Sequence, residues 1–272
     1  MTTKYARSAS FALAVAGAVS IGASSLALAT ELHTLIVEPG TTFLGLSYNR
    51  LAGEWWNWAA KEPSATNPVL DTTGKDCQRN QKGSVWFLAG TFFGAAVTRN
   101  CTIPAGKALF IPIVNGDSFY PEYPEPGNRC TLRGRFDLTK PAGRLSGVRC
   151  DVNDDLVSGE DKNDVVYNSV NLKFTIDDLS TRAQPDLRIA DPYGYRAQTP
   201  PGGYTQYFPP GSLFTEPDWG GLPPGPRFPA VADGYWVFLK PLPAGHYRIR
   251  IHADARSGGA ALDVTYNLTV AR

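Results

Sequence analysis

The sequence predicts a mainly β protein, namely a β-sandwich of jelly-roll type with one packed amphipathic helix and long Pro/Gly-rich loops. Three observations lead to this prediction. The C-terminus alternates strictly between apolar and polar residues, the middle of the chain is rich in β-branched and aromatic residues, and one stretch has helical periodicity.

Two alternating segments at the C-terminus predict an antiparallel pair of strands with one solvated face. In HYRIRIHAD (246–254) the residues expected to point inward are Tyr247, Ile249, Ile251 and Ala253. After the RSGG turn, LDVTYNLTV (262–270) alternates in the same way, with Leu262, Val264, Tyr266, Leu268 and Val270 inward.

Four other segments have strand composition: Leu32–Val37, Ser84–Gly90, Ala95–Ile103 and Lys107–Asn115. The last is almost wholly apolar, as in a strand that is covered on both faces. Because proline cannot donate a hydrogen bond to the ladder, Pro112 within it predicts a bulge or an edge position.

One helix is predicted over Ser47–Lys61, with Ser47 as its N-cap. It contains the stretch GEWWNWA (53–59), which holds three of the six tryptophans of the chain. At 100° per residue all three fall in one broad apolar arc, opposite a narrow polar arc. We therefore interpret them as core residues against a sheet rather than as a ligand platform. Trp56, at the margin of the arc, is the one that could line a groove.

Two irregular regions supply the candidate ligand contacts. Asp117–Cys130 is rich in proline, aromatic and acidic residues, and Pro192–Pro229 holds ten of the 22 prolines, a composition that disfavours helix and central strand. We expect Pro192–Pro229 to form an ordered segment packed over the domain. This segment is either a binding surface or a lid that covers a sheet face. Since aromatic rings can stack on sugar faces, the candidate ligand-binding residues are Tyr120, Tyr123, Tyr204, Tyr207 and Trp219.

Residues 1–29 are predicted to be a signal peptide. Lys4 and Arg7 precede an apolar run, Phe11–Ala29, that ends in Ala-Leu-Ala, the three parts of a secretory signal. A membrane anchor is the alternative, but the many small residues weaken it. We expect a secreted or periplasmic protein in which residues 30–272 form a single domain, with no membrane span after cleavage.

The charges nearly balance, with 26 Lys+Arg against 25 Asp+Glu. Nucleic-acid binding requires a concentrated basic surface, so no nucleic-acid partner is expected. Neither composition nor charge indicates the oligomeric state.

The four cysteines predict two disulfides, because an even count in an exported chain is typical of oxidised pairs. Three pairings are possible. We favour Cys77–Cys101 and Cys130–Cys150, since each closes a modest loop between plausible strands. No pair has the C-x-x-C spacing of a zinc site.

The acidic run that follows Cys150 raises the possibility of calcium. Asp151, Asn153 and Asp155 alternate like the first ligands of an EF-hand loop. Leu156 stands where that loop requires glycine, and Lys162 where it requires glutamate. The pattern therefore fails as an EF-hand, and calcium bound by these oxygen ligands remains a hypothesis. No other cofactor is expected.

No nucleophile elbow, zinc-protease motif or P-loop is present. A glycosidase needs two carboxyl groups at a definite separation, which no spacing in the sequence encodes, so the enzymatic status stays open. The candidate carboxylates are Glu54, Asp71, Asp76, Asp117, Asp218 and Asp233.

Several segments together resemble a family of signal-peptide-bearing secreted bacterial proteins that are described only as uncharacterised or hypothetical proteins. These segments are EWWNWA, NPVLDTTGKDC, SVWFLAGT, RNCTIPAGKALFIPIVN and VADGYWVFLKPLPAG. The resemblance covers most of the chain after residue 29 and implies a secreted or periplasmic β-rich protein. It implies no activity.

Three function hypotheses follow. The first is a non-catalytic secreted protein that binds glycan or cell-envelope material through the aromatic loops. The second is a secreted hydrolase acting on polysaccharide or ester, with carboxylates in a cleft beneath Pro192–Pro229. The third is a structural envelope component with a protein partner. Turnover separates the second from the first, and self-association without small-ligand binding indicates the third.

Overall fold

The computed structural model describes residues 34–92, 96–119, 129–132, 148–152, 155–157, 169–179, 187–188, 196–198, 204–255 and 260–272. The predicted signal peptide and Tyr120, Tyr123 and Asn153 lie outside these ranges. Within them, no helix has both the length and the apolar character that a membrane crossing requires.

The described chain contains one α-helix, three short 3₁₀ helices and fifteen strands. The α-helix is α1 (Tyr48–Ala59), and the 3₁₀ helices are Ser64–Thr66, Leu213–Thr215 and Pro217–Trp219. The strands are β1 (Thr42–Phe43), β2 (Leu46–Ser47), β3 (Val85–Phe87), β4 (Ala96–Pro104), β5 (Ala108–Phe119), β6 (Arg129–Leu132), β7 (Val148–Val152), β8 (Asp155–Val157), β9 (Ser169–Asp178), β10 (Leu187–Arg188), β11 (Arg196–Gln198), β12 (Tyr204–Phe208), β13 (Gly225–Leu239), β14 (Gly245–Ala255) and β15 (Ala260–Ala271).

Two five-stranded sheets make up most of the described fold. The outer sheet has the order β10-β9-β14-β15-β4. The helix-covered sheet has the order β11-β13-β5-β3, and β12 also pairs with β13. The prediction of a mainly β protein is confirmed. Each large sheet contains one parallel pair, β4 with β15 and β3 with β5, while its other pairs are antiparallel.

The two large sheets contribute to one hydrophobic cluster. Phe174, Ile249 and Val264 come from the outer sheet, and Ile111 and Val237 come from the helix-covered sheet. These five side chains are fully buried. Burying a large apolar side chain stabilises the fold by about 1.5–3 kcal/mol, so this cluster is a main source of stability.

The C-terminal pair of strands is confirmed. β14 and β15 are antiparallel along most of their length, and Ile249 lies opposite Tyr266. Every residue that the alternation placed inward is buried: Tyr247, Ile249, Ile251, Ala253, Leu262, Val264, Tyr266, Leu268 and Val270.

The predicted helix is confirmed as α1. Its N-cap is Ser47, whose hydroxyl accepts a hydrogen bond from the Arg50 N–H at 3.3 Å. Trp55, Trp56 and Trp58 are only 2–5 % exposed, and they belong to a second cluster on the other face of the helix-covered sheet. The core interpretation therefore holds for all three tryptophans, including Trp56.

Pro112 lies at a bulge in β5. Trp236 pairs with Pro112 and Tyr235 pairs with Val114, so β5 has one extra residue at Ile113. The bulge that the proline predicted is confirmed. It occurs inside the sheet, because β5 lies between β13 and β3.

The Pro192–Pro229 region contains more strand than its composition suggests. It includes β11, β12 and the first residues of β13. Tyr207 pairs with Pro226, and β13 pairs with β5 only from Ala230 onward. Pro226 therefore lies where one side of β13 has no ladder, a position at which proline is tolerated.

The described part of the predicted strand Leu32–Val37 pairs less extensively than expected. Ile36 forms a single antiparallel bridge with Leu239. The Val37 N–H donates to the Phe238 carbonyl at 2.9 Å, and the Lys240 N–H donates to the Leu35 carbonyl at 2.7 Å. These contacts hold the segment against the end of β13 without extending the sheet by a full strand.

Candidate functional site

Cys77 and Cys101 form a disulfide, as predicted, with their Cα atoms 6.1 Å apart. The bond ties the loop after α1 to β4. Cys130 lies directly opposite Cys150 in the β6–β7 register, but the side chains of these two residues are outside the described atoms. The Cys130–Cys150 bond stays a prediction.

The predicted calcium ligands lie mainly outside the described atoms. Asp151 is in β7 and Asp155 is in β8, and these strands are antiparallel, with Val152 paired with Asp155. Neither side chain is described, and Asn153 falls in the gap. Among the described residues, no three His, Cys, Asp or Glu side chains form a group that could hold a metal ion. The calcium hypothesis is thus not tested at its own position.

Two candidate carboxylates stabilise the loop after α1. Asp71 accepts hydrogen bonds from the Thr73 N–H and hydroxyl, both at 2.8 Å, and from the Asp76 N–H at 2.9 Å. Burial alone raises the pKa of Asp71. These hydrogen bonds and the Arg99 charge outweigh it, so its pKa lies below the ordinary value. Asp76 forms ion pairs with Lys75 and Arg79.

The other candidates differ in their surroundings. Glu54 pairs with Arg50 on the exposed side of α1 at 2.7 Å, and Asp218 is exposed in a 3₁₀ helix. The side chain of Asp233 is outside the described atoms. Asp117 is hydrogen-bonded to Tyr204, so one carboxylate of the hydrolase hypothesis contacts the Pro192–Pro229 region.

A buried arginine, which we did not predict, links the loop after α1 to β15 and to the segment that follows β3. Arg99 is 1 % exposed. Its guanidinium donates to the carbonyls of Val69, Asp71, Ala89 and Gly90 and to the Tyr266 hydroxyl, at 2.6–3.0 Å. The alternation of β4 places residue 99 inward, which is the one signal in the sequence for this role. A charge at a core position requires such partners.

Asp117 and Tyr204 lie close together in the structure. Asp117 is a candidate carboxylate of the hydrolase hypothesis, and Tyr204 is a candidate contact of the glycan-binding hypothesis. The Tyr204 hydroxyl donates to Gln206 Oε1 at 2.8 Å, and Gln206 Nε2 donates to the Trp56 carbonyl at 3.3 Å. Gln206 is fully buried. Burial, followed by the charge of Asp117 and a hydrogen bond with it, raises the pKa of Tyr204 well above its usual range. Tyr204 is therefore protonated, partly buried and held by hydrogen bonds of its hydroxyl group, and its role as a ligand contact stays a prediction.

Strand β12 is held against α1 by side chains of the GEWWNWA stretch. Asn57 Nδ2 donates to the Thr205 carbonyl at 2.9 Å, and Asn57 Oδ1 accepts from the Tyr207 N–H at 2.9 Å. A Cβ atom at Gly53 would lie 3.0–3.3 Å from ring carbons of Tyr204. Glycine at position 53 therefore lets the Tyr204 ring pack directly on the helix.

Two aromatic rings of this region are exposed, and a third is partly so. Tyr207 is 47 % exposed and Phe228 is 57 % exposed; Trp219 is half-buried. Phe228 lies in the bulge between the Tyr204–Ala230 and Gln206–Arg227 pairs. Bulges re-aim side chains, and this one could not be predicted because it depends on the β12–β13 register.

A cavity of about 160 Å³ lies beside Phe92. Phe92 also packs against Trp56 and Trp219, with ring centroids 6.4 and 6.2 Å away. Of the predicted ligand-binding residues, Trp219 is thus the one connected to this cavity through a single ring. The cavity is lined by Trp55, Val69, Gly90, Thr91, Phe92, Pro112, Ile113, Val114, Asn115 and Leu262.

Comparisons of the chain with protein-family models, with curated proteins and with solved structures give no match. Its function must therefore be argued from the site itself.

Proposed function

We propose that this is a secreted or periplasmic, non-catalytic protein that binds glycan or cell-envelope material through an aromatic surface formed by Tyr207, Trp219 and Phe228. The observation that carries this proposal is the exposure of Tyr207 and Phe228 on paired strands. Tyr120 and Tyr123 remain proposed contacts outside the described residues, and the partly buried Tyr204 remains a proposed contact beside this surface.

The backbone beneath the aromatic surface is held by contacts to α1 and the following turn. Besides the two Asn57 hydrogen bonds, the Ser64 N–H donates to Glu216 Oε1 at 2.9 Å, and the Leu213 N–H donates to the Glu62 carbonyl at 2.8 Å. Preorganised rings lose little conformational entropy on binding, which favours affinity. A sugar ring stacked on such a face would be recognised by its apolar side, with hydroxyl groups left to solvent.

The test is a pull-down of the oxidised mature protein on insoluble polysaccharides and on peptidoglycan, with and without calcium. Retention should fall at least several-fold in Tyr207→Ala and in Phe228→Ala. Leu179→Ala is the matched control, because Leu179 is also an exposed apolar residue, at 44 %, but lies at the end of β9. Retention that is unchanged in both aromatic variants, or equally reduced in the control, contradicts the proposal.

A second candidate, a hydrolase, is favoured by the hydrogen-bonded Asp117 and Tyr204. A raised pKa keeps the Tyr204 hydroxyl protonated. Its single proton would have to leave Gln206 Oε1 to be donated to Asp117 or to a substrate. The same pull-down distinguishes this function if the supernatant is assayed for released sugars. Release that disappears in Asp117→Asn supports hydrolysis, whereas binding without release supports the first proposal.

Three further expectations belong with this proposal. Export is supported by the Cys77–Cys101 disulfide, since such bonds persist in oxidising compartments. A jelly-roll sandwich is supported by the two five-stranded sheets that share one hydrophobic cluster. A calcium site at Asp151, Asn153 and Asp155 is to be tested by the calcium arm of the pull-down.

A further inference from the structure

The cavity beside Phe92 has the properties of a small ligand site. Its volume of about 160 Å³ is close to that of an apolar cavity that stays dry and binds benzene, about 150 Å³. The walls include two aromatic side chains, Trp55 and Phe92, with Ile113 and Leu262. Thr91, Phe92 and Asn115 are only partly buried, so the cavity reaches the surface and a ligand can enter.

The residues that line the cavity indicate which class of ligand it would bind. Sugars need several hydrogen-bonding partners, whereas most side chains around this cavity are apolar. Aromatic pairs gain about 0.5–1.5 kcal/mol beyond the burial of their area. A planar ring that contacts Trp55 and Phe92, which both line the cavity, gains these aromatic contacts, whereas an alkyl chain does not.

One polar side chain of the lining, Asn115, has unused hydrogen-bonding capacity. The Asn115 side chain, unlike its backbone, makes no hydrogen bond among the residues that the structure describes. It lies opposite Gly234 in the β5–β13 ladder. A Cβ atom at Gly234 would come within 2.6 Å of the Asn115 Cβ, so the position of Asn115 depends on the glycine across the ladder.

We propose that this cavity binds a single aromatic ring carrying one hydroxyl group, that is, a phenol, with the ring between Trp55 and Phe92 and the hydroxyl on the Asn115 amide. The carboxamide can accept from or donate to a hydroxyl group. This site is separate from the proposed glycan surface, and it needs no glycan binding to operate.

The test is a titration of the ¹⁵N-labelled oxidised mature protein with phenol and, in parallel, with benzene. The reporter is the indole N–H of Trp55, which donates to the Leu88 carbonyl at 2.8 Å. Both compounds should shift this signal. Phenol should bind about three- to tenfold more tightly, the gain expected from one additional hydrogen bond.

Two variants locate the site. In Gly90→Ala the new methyl group would lie 3.4 Å from Leu262 Cδ1 and 3.6 Å from Pro112 Cγ, ordinary contact distances, so the fold is kept while the cavity shrinks. Binding of both compounds should weaken about fivefold or more, because the methyl group occupies part of the cavity volume that the ligand needs. In Asn115→Ala, benzene should still bind, but the advantage of phenol should disappear. Leu262→Phe provides a second filling variant.

Each outcome decides the proposal. It is overturned if neither compound shifts the Trp55 signal, if phenol and benzene bind equally to the unmodified protein, or if the advantage of phenol survives in Asn115→Ala. Unchanged binding in both filling variants likewise places the ligand elsewhere. Gly90→Ala should leave glycan retention unaltered, so failure of this site and failure of the glycan surface are distinguishable.

Discussion

Replacing Arg99 by methionine tests whether the buried guanidinium joins the loop after α1 to the sheets. Methionine retains most of the apolar stem and removes five donated hydrogen bonds. The Ala89 carbonyl keeps a partner, because it also accepts from the Tyr266 hydroxyl at 2.8 Å. The carbonyls of Val69, Asp71 and Gly90 lose the donor that the guanidinium supplied.

The magnitude follows from these three carbonyls. Each buried acceptor left without a donor costs about 1–3 kcal/mol, which gives about 3–9 kcal/mol for the set. Removing a buried charge offsets part of this cost, because its desolvation penalty is several kcal/mol. We therefore expect the free energy of unfolding to fall by about 1–5 kcal/mol, which can be a large fraction of the total for an ordinary domain.

Urea unfolding of the oxidised mature protein, followed by tryptophan fluorescence, measures this loss. The matched control is Arg250→Met on β14. Arg250 is 54 % exposed and approaches Asp177 only to 3.7 Å, so its replacement should change the free energy of unfolding by less than about 0.5 kcal/mol. A loss below about 1 kcal/mol in Arg99→Met, or similar losses in both variants, would refute the reasoning.

Three other perturbations have defined outcomes. The double change Cys77→Ala/Cys101→Ala should lower the free energy of unfolding by about 3 kcal/mol, since the bond closes a separation of 24 residues; an unchanged urea midpoint contradicts this. The raised pKa of Tyr204 means that its stabilisation is complete below the unfolded value of about 10. Above that value the stabilisation is lost as pH rises toward and through the folded pKa. The loss relative to Tyr204→Phe should therefore grow by up to about 1.4 kcal/mol per pH unit above 10. Parallel stability profiles of the two proteins between pH 9 and 11 would contradict this. Gly53→Ala should not raise the free energy of unfolding, although alanine gains ~1 kcal/mol over glycine within a helix, because its Cβ would press on the Tyr204 ring. A measured gain of that size would show that this contact does not oppose the substitution.

Features with a local periodic signal could be predicted from the sequence. α1 has one apolar arc and a serine N-cap, and β14 and β15 alternate without a break, so their buried faces follow from side-chain direction alone. The bulge at Pro112 follows from the chemistry of proline, which has no backbone N–H to donate to the ladder. Cys77–Cys101 was chosen from three possible pairings because each bond of the favoured set closes a modest loop.

The site depends on contacts between distant parts of the chain, and the sequence does not encode them locally. Asp117 and Tyr204 are brought together by strands that both pair with β13. Phe228 is exposed because a bulge interrupts that pairing. Arg99 occupies an inward position in an otherwise ordinary alternating strand, and its role depends on carbonyls from two separate loops. Strand register decided the outcome for Asp117, Tyr204 and Phe228, and loop packing decided it for Arg99; neither can be read from composition.

The GEWWNWA stretch shows how one helix can both complete the core and build a surface. Trp55 packs on Trp236 at 5.5 Å between ring centroids and also forms a wall of the cavity. On the same helix, Gly53 and Asn57 hold the strand that carries Tyr207. A tryptophan-rich core face and support of the proposed binding surface are therefore compatible roles for a single helix, because the rings pack the helix on the sheet while Gly53 and Asn57 contact β12. Substitutions that loosen the tryptophans should consequently weaken ligand retention without touching an exposed ring.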